Sequence, residues 1–288
     1  TMKWFDDVWL KEVFAGYMSD KIVSPDFPDV NHELRFLLSR YPDAYAVDRT
    51  RGTNPVIQDL DNMKDAGSLY GAIIYNKAPV VMRQLEKLAG EADLRKGLQI
   101  YLNENSWRNA RWDELITILE NVTRKPLGEW SRMWVREAGM PVLKPVVNRQ
   151  QEGYKVTFME DDPAGTIRHW PQTLNAMVIT RTDTVTGVLT PADNKSFIMT
   201  EEEPLCIIPD ISGRAYGTFI FDSITVDHLT LNINEFADPL LRGVLWVNMY
   251  ENLVNGVIAP AAFYEIIFTA LESENDLQLR NYLAGRFS

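Results

Sequence analysis

Glu12 lies in Trp9-Leu10-Lys11-Glu12-Val13-Phe14-Ala15, where nearly every neighbour prefers the interior. A carboxylate buried alone is forced neutral or costs several kcal/mol, so this one pairs with a Lys or Arg, a set of hydrogen-bond donors or a metal ion, or else lies on a solvated helix edge. Tyr75 stands just ahead of Pro79 in Ile73-Ile74-Tyr75-Asn76-Lys77-Ala78-Pro79. Proline belongs in the first turn of a helix, which predicts a helix starting near Asn76 and a phenol projecting from its start. A phenol there can donate to a developing oxyanion, or simply pack at the helix end. The histidines His32, His169 and His228 are far apart, and the 288 residues hold no H-E-x-x-H. None has the close spacing of a metal ligand pair, and His169 and His228 read as surface or interdomain residues. No Gly-rich phosphate loop and no G-x-S-x-G elbow offers another chemistry.

Three compositional regions must position these residues. A chain of 288 residues is long for one core, so two or three domains are expected. With 45% hydrophobic residues, eight Trp and twelve Phe it has enough apolar surface to fold. From Trp4 to Gly139 apolar residues recur at helical spacing, as in Val8, Trp9, Val13, Phe14 and Tyr17, and again in Leu115, Ile118, Leu119 and Val122. A loop is expected from Pro42 to Asp65, with further breaks at Gly90, Gly97 and Gly139-Met140-Pro141. From Val142 to about Phe221 short alternating runs such as Tyr154 to Phe158 and Ala176 to Thr180 predict a small antiparallel β-sandwich. Its turns are expected at Asp162-Pro163, Thr186-Gly187 and Ser212-Gly213. Helical spacing returns after Asp227, in Leu240, Val244 and Val247 and then in Phe263, Ile266 and Ile267.

The bulk charge removes some functions. A formal net charge of −11 without a Lys/Arg cluster argues against nucleic acid as a partner. No apolar run approaches the roughly 20 residues that span a bilayer, so a soluble piece without a membrane span is expected. One cysteine, Cys206, excludes an internal disulfide, and its apolar neighbours predict a buried structural thiol.

The opening Thr1-Met2-Lys3-Trp4-Phe5-Asp6-Asp7-Val8-Trp9-Leu10-Lys11-Glu12-Val13-Phe14-Ala15 resembles the segment V-T-x-x-W-W-x-x-x-W-L-N-E-G-F-A that follows H-E-x-x-H in M1 zinc aminopeptidases of the aminopeptidase N type. Further segments resemble the same family. Asp48 to Leu60 is similar to its stretch around S-H-P-I, and Ile74 to Ala78 to its Y-x-K-G-A. Trp130 to Pro141 resembles its W-x-x-x-W-x-x-x-x-G-x-P boundary, and Pro209-Asp210 with Ala215-Tyr216-Gly217 its P-N and Y-G pattern. Three departures touch pocket walls: Val13 for Gly, Asn54 for His, and Ala78-Pro79 for Gly-Ala. They bear on substrate preference more than on the class of reaction.

The resemblance implies a multidomain α+β fold. Residues 1–141 would be the helical part of a thermolysin-like peptidase domain, 142–224 a β-sandwich, and 225–288 the start of a C-terminal helical domain. It also implies a parent enzyme that removes N-terminal residues from peptides, with Zn2+ as cofactor, Glu12 as a zinc ligand and Tyr75 as the donor to the tetrahedral intermediate. The two histidines, the base Glu and the G-x-M-E-N glutamate that holds the substrate amine would precede Thr1. The chain is therefore expected to be a piece of that enzyme, inactive alone and prone to self-association through uncovered apolar faces. A non-catalytic M1-like scaffold is the alternative, and an epoxide hydrolase of the leukotriene hydrolase kind would share the same site.

Overall fold

The computed structural model describes residues 7–59, 64, 71–191 and 195–287. The first six residues of the opening motif and most of the expected loop beyond residue 59 lie outside the described residues. The chain is mixed α+β with two small sheets and forms two compact units. One comprises residues 1–30 and 39–139, the other residues 31–38 and 140–288.

The first unit is helical. Helix α1 (Val8–Val23) buries Trp9, Leu10, Val13 and Tyr17 along one stripe. Helix α2 (His32–Asp48) begins in the second unit and contributes its later turns to the first. Helices α3 (Ala78–Ala89), α4 (Glu91–Glu104) and α5 (Trp112–Thr123) follow, then the short α6 (Gly128–Ser131). Trp9 and Trp112 pack with ring centroids 5.0 Å apart, and the Trp112 indole donates to Ser131 Oγ at 2.7 Å. The amphipathic periodicity thus converges on one aromatic-rich core.

Two punctuation marks in this region were expected to break helices and do not. Pro42 lies inside α2, which continues to Asp48. Proline removes one hydrogen bond from a helix, but Tyr41, Ala44 and Tyr45 around it are buried, so tertiary packing carries the helix past it. Gly97 lies inside α4. A Cβ built there would meet Leu119 Cδ2 of α5 at 2.4 Å, so the glycine is the point where the two helices touch. Gly97→Ala gains helix propensity of about 1 kcal/mol but overpacks a contact that typically costs about 1–3 kcal/mol. A net loss of stability is expected in denaturant unfolding; a gain would show that Leu119 can swing aside.

In the second unit the strands are β1 (Val142–Gln150), β2 (Gly153–Asp161), β3 (Leu174–Ile179), β4 (Thr184–Leu189), β5 (Ile198–Thr200), β6 (Cys206–Ile208) and β7 (Thr218–Phe219). They form a four-stranded sheet in the order β5-β2-β1-β7 and a three-stranded sheet in the order β4-β3-β6. The pairing is antiparallel except for β1 with β7. Leu143, Val156 and Phe158 of one sheet share an apolar cluster with Leu174, Val178 and Ile207 of the other. Alternation of buried and exposed residues along β3 is the period-2 pattern of such a core. Gly187, expected in a turn, lies within β4; a Cβ there would meet Ile198 Cγ1 at 2.9 Å, so its lack of side chain admits β5. Thr180 and Asp183 make the turn instead, through the bond from Thr180 N to Asp183 O.

Cys206 is fully buried, and burial pushes its thiol up to about 12. The Arg168 guanidinium forks onto Asp162 with both bonds at 2.8 Å and holds that carboxyl well below the usual carboxylate range. Because the folded pKa lies below the unfolded one, this stabilisation is full above the unfolded value of about 4 and is lost as the pH falls below it. Arg168→Ala is expected to cost about 1.5–3 kcal/mol at pH 7 and progressively less toward pH 2. Unfolding of both proteins across that range checks this, since the opposite contribution of Glu160, whose carboxyl burial raises, is common to both.

Among the described residues four α-helices follow the strands: α7 (Ser223–Asn232), α8 (Pro239–Val254), α9 (Pro260–Ser273) and α10 (Leu277–Ala284). Aspartates set three of the starts, Asp222 accepting from Thr225 N, Asp238 from Leu240 N and Asp276 from Gln278 N. The buried Asn252 of α8 joins this layer to β7 through Phe219 O and Phe221 N. Among the described residues no helix is long and apolar enough to cross a membrane.

Candidate active site

Glu12 lies on the flank of the buried stripe of α1. Its side chain is 25% exposed, with Lys11 Nζ at 3.7 Å. One turn further, a Cβ on Gly16 would meet nothing within 4 Å, so this flank faces open space. The carboxylate is held on a rigid element: Asp7 accepts from Trp112 N at 3.2 Å, and Lys21 at the other end of α1 is ion-paired with Glu86 of α3. The Tyr17 phenol also bonds Glu86, and burial with that carboxylate raises its pKa.

Tyr75 is carried by a π-helical turn, Ile73–Lys77, directly ahead of α3. The expected helix with Pro79 in its first turn is present, starting at Ala78, and the wider turn before it carried no sequence signal. Such turns occur mostly as single insertions and often at functional sites. Ile73, Ile74 and Lys77 point inward, while Tyr75 is 43% exposed. Its backbone is fixed by Arg40, whose Nη1 donates to Tyr75 O at 3.0 Å and lies 3.4 Å from Asn76 Oδ1. Helix α1 packs against this turn and against α3, so the elements bearing Glu12 and Tyr75 are neighbours.

Beneath the turn lies a buried polar ring that sequence reasoning did not assign. The Lys77 ammonium, with no exposed surface, pairs with Asp48 Oδ2 at 2.8 Å and donates to Gly139 O at 2.6 Å. Thr53 Oγ1 donates to Asp48 Oδ1 and accepts from Gly139 N at 3.1 Å, closing the circuit. Three of the motif segments, around Asp48, Lys77 and Gly139, thus meet in one network. A lysine set in the apolar run from Ile73 to Val81 was the available signal.

Among the described residues there is no group of three or more His, Cys, Asp or Glu side chains placed to hold a metal. Glu12, partly open and on a rigid helix, suits one ligand position. By itself it does not fit a catalytic zinc centre, which takes three protein ligands. His169 lies 3.3 Å from Glu160, and His228 sits on α7 with its pKa lowered by burial; both belong to the second unit.

Residues 1–134, which contain both Glu12 and Tyr75, match the sequence model of the Peptidase family M1 domain, so this part of the chain is similar to M1 aminopeptidases. Over 96% of its length it is 28% identical to the Tricorn protease-interacting factor F2 of Thermoplasma volcanium and 24% identical to the aminopeptidase N of Streptomyces lividans. Over 53% of its length it is 33% identical to the puromycin-sensitive aminopeptidase of Caenorhabditis elegans. It spans 34% of each of the first two proteins and 16% of the third, so it corresponds to about a third or less of their length.

Proposed function

We propose that this chain is part of a zinc aminopeptidase that hydrolyses N-terminal residues from peptides, with Glu12 as one metal ligand and Tyr75 as the oxyanion donor. The observation that carries the reading is the packing of α1, with Glu12 on an open flank, against the π-turn that presents Tyr75. Bound zinc supplies Lewis acidity and a water of lowered pKa in such enzymes. What this chain contributes is a carboxylate and a phenol, each carried on a helical element. The backbone of the turn that carries Tyr75 is held by Arg40, and its O–H would donate to developing negative charge. The remaining ligands, the general base and the group that receives the substrate amine belong to parts of the whole protein outside these residues, and the chain alone is expected to be inactive.

The test is release of anilide from alanine p-nitroanilide by the whole protein, beside the N-acetylated substrate. Turnover of the free amine only, abolished by a chelator and restored by zinc, supports the proposal. Absence of turnover after zinc loading favours the non-catalytic scaffold instead, a reading that the name of the Thermoplasma volcanium relative, an interacting factor, keeps in view.

A further inference from the structure

We propose that Lys77 is a positioning residue for Tyr75, fixing the rotation of the π-turn so that the phenol points into the open side; this rests on the proposed role of Tyr75. Four observations converge on it. The Lys77 ammonium is fully buried, where a Met or Leu would fill the same volume without desolvating a charge. A buried ion pair is poor evidence of stabilisation, so the pair asks for another explanation, and geometry supplies one. An ammonium hydrogen-bonded to Gly139 O and ion-paired with Asp48 is tied to two fixed points, a constraint that the burial of Ile73 and Ile74 does not impose. The second observation is the turn itself. A π-turn is rare and tends to relax toward α-helical closure, and gaining or losing one residue of register rotates a side chain by about 100°. Such a rotation would move Tyr75 out of place and Lys77 out of its ring.

The third observation is that the opposite side of the turn is also held, by Arg40 on the Tyr75 carbonyl and near Asn76. Arg40 thus holds the Tyr75 backbone on one side of the turn and the anchored Lys77 ammonium lies on the other, while Tyr75 itself is 43% exposed. The fourth is the origin of the partners. Asp48 ends α2, Thr53 lies in the loop after it, and Gly139 closes the unit, so the turn is referenced to three distant points of the chain.

The experiment uses the zinc-loaded whole protein. The double substitution Asp48→Asn with Lys77→Met, which leaves no lone buried charge, is made in the wild-type and in the Tyr75→Phe backgrounds. With Tyr75 present, kcat for alanine p-nitroanilide is expected to fall about 10-fold to 100-fold, with KM and zinc content within about twofold of wild type, because a misplacement near 1 Å costs of that order. In the Tyr75→Phe background the same pair is expected to cost less than about twofold further, because residues acting as one unit are not additive. Amide exchange is expected to accelerate across residues 73–77 and to stay unchanged in the rest of α3, a readout independent of turnover. If the double substitution prevents folding, Lys77→Arg, which keeps the charge and alters its reach, is compared in the same two backgrounds. Equal losses in both backgrounds, or no loss where Tyr75→Phe alone is damaging, overturn the inference and leave the proposed function standing. A Tyr75→Phe protein with wild-type kcat overturns both.

Discussion

Tyr75→Phe in the whole protein is expected to lower kcat by about 10²–10³-fold while zinc content and KM stay near wild type. The substitution deletes one hydroxyl and leaves the ring. The π-turn is held by Arg40, Ile73, Ile74 and Lys77 through contacts that do not involve the phenol oxygen, so the backbone should not move. Loss confined to kcat is the signature of an interaction made only in the transition state. Michaelis kinetics with metal analysis on the same samples measures it. A fall in KM-linked binding alone would assign Tyr75 to substrate recognition.

Lys77→Met alone is expected to destabilise the first unit by about 3–5 kcal/mol, the usual cost of leaving a buried charge without its partner. Asp48 would then keep only the Thr53 hydroxyl, and the Gly139 carbonyl would lose its ammonium donor. Asp48→Asn added to Lys77→Met is expected to recover most of the loss, since the net worth of a buried pair is small. Urea unfolding followed by tryptophan fluorescence reads both, as Trp9, Trp112, Trp130 and Trp134 are all buried in this unit. A loss below about 1 kcal/mol for Lys77→Met would mean that the vacated space hydrates the carboxylate.

The difference between these expectations reflects what a sequence exposes. Glu12 and Tyr75 stood out because each places a polar group against a strong local pattern, one inside an apolar helix and one beside a helix-starting proline. The order of helices, strands and helices was legible for the same reason, since periods of 3.6 and 2 are local properties. What escaped the sequence was non-local. Pro42 carries a strong local break signal that buried neighbours override, Gly187 one that the close approach of Ile198 overrides, and Gly97 is explained by Leu119, twenty-two positions away. The Lys77 ring joins residues from Asp48 to Gly139, and no spacing announces such a circuit. The π-turn is likewise a consequence of that tertiary anchoring, with no compositional mark of its own.

Zinc content of the whole protein, compared between wild type, Glu12→Ala and Tyr75→Phe after identical loading and desalting, tests most directly whether Glu12 is a metal ligand. Wild type and Tyr75→Phe are expected to hold stoichiometric zinc, and Glu12→Ala to lose it with its melting temperature little changed, since the carboxylate is partly exposed on the helix flank. Full zinc occupancy in Glu12→Ala, or no zinc in wild type, would contradict that role.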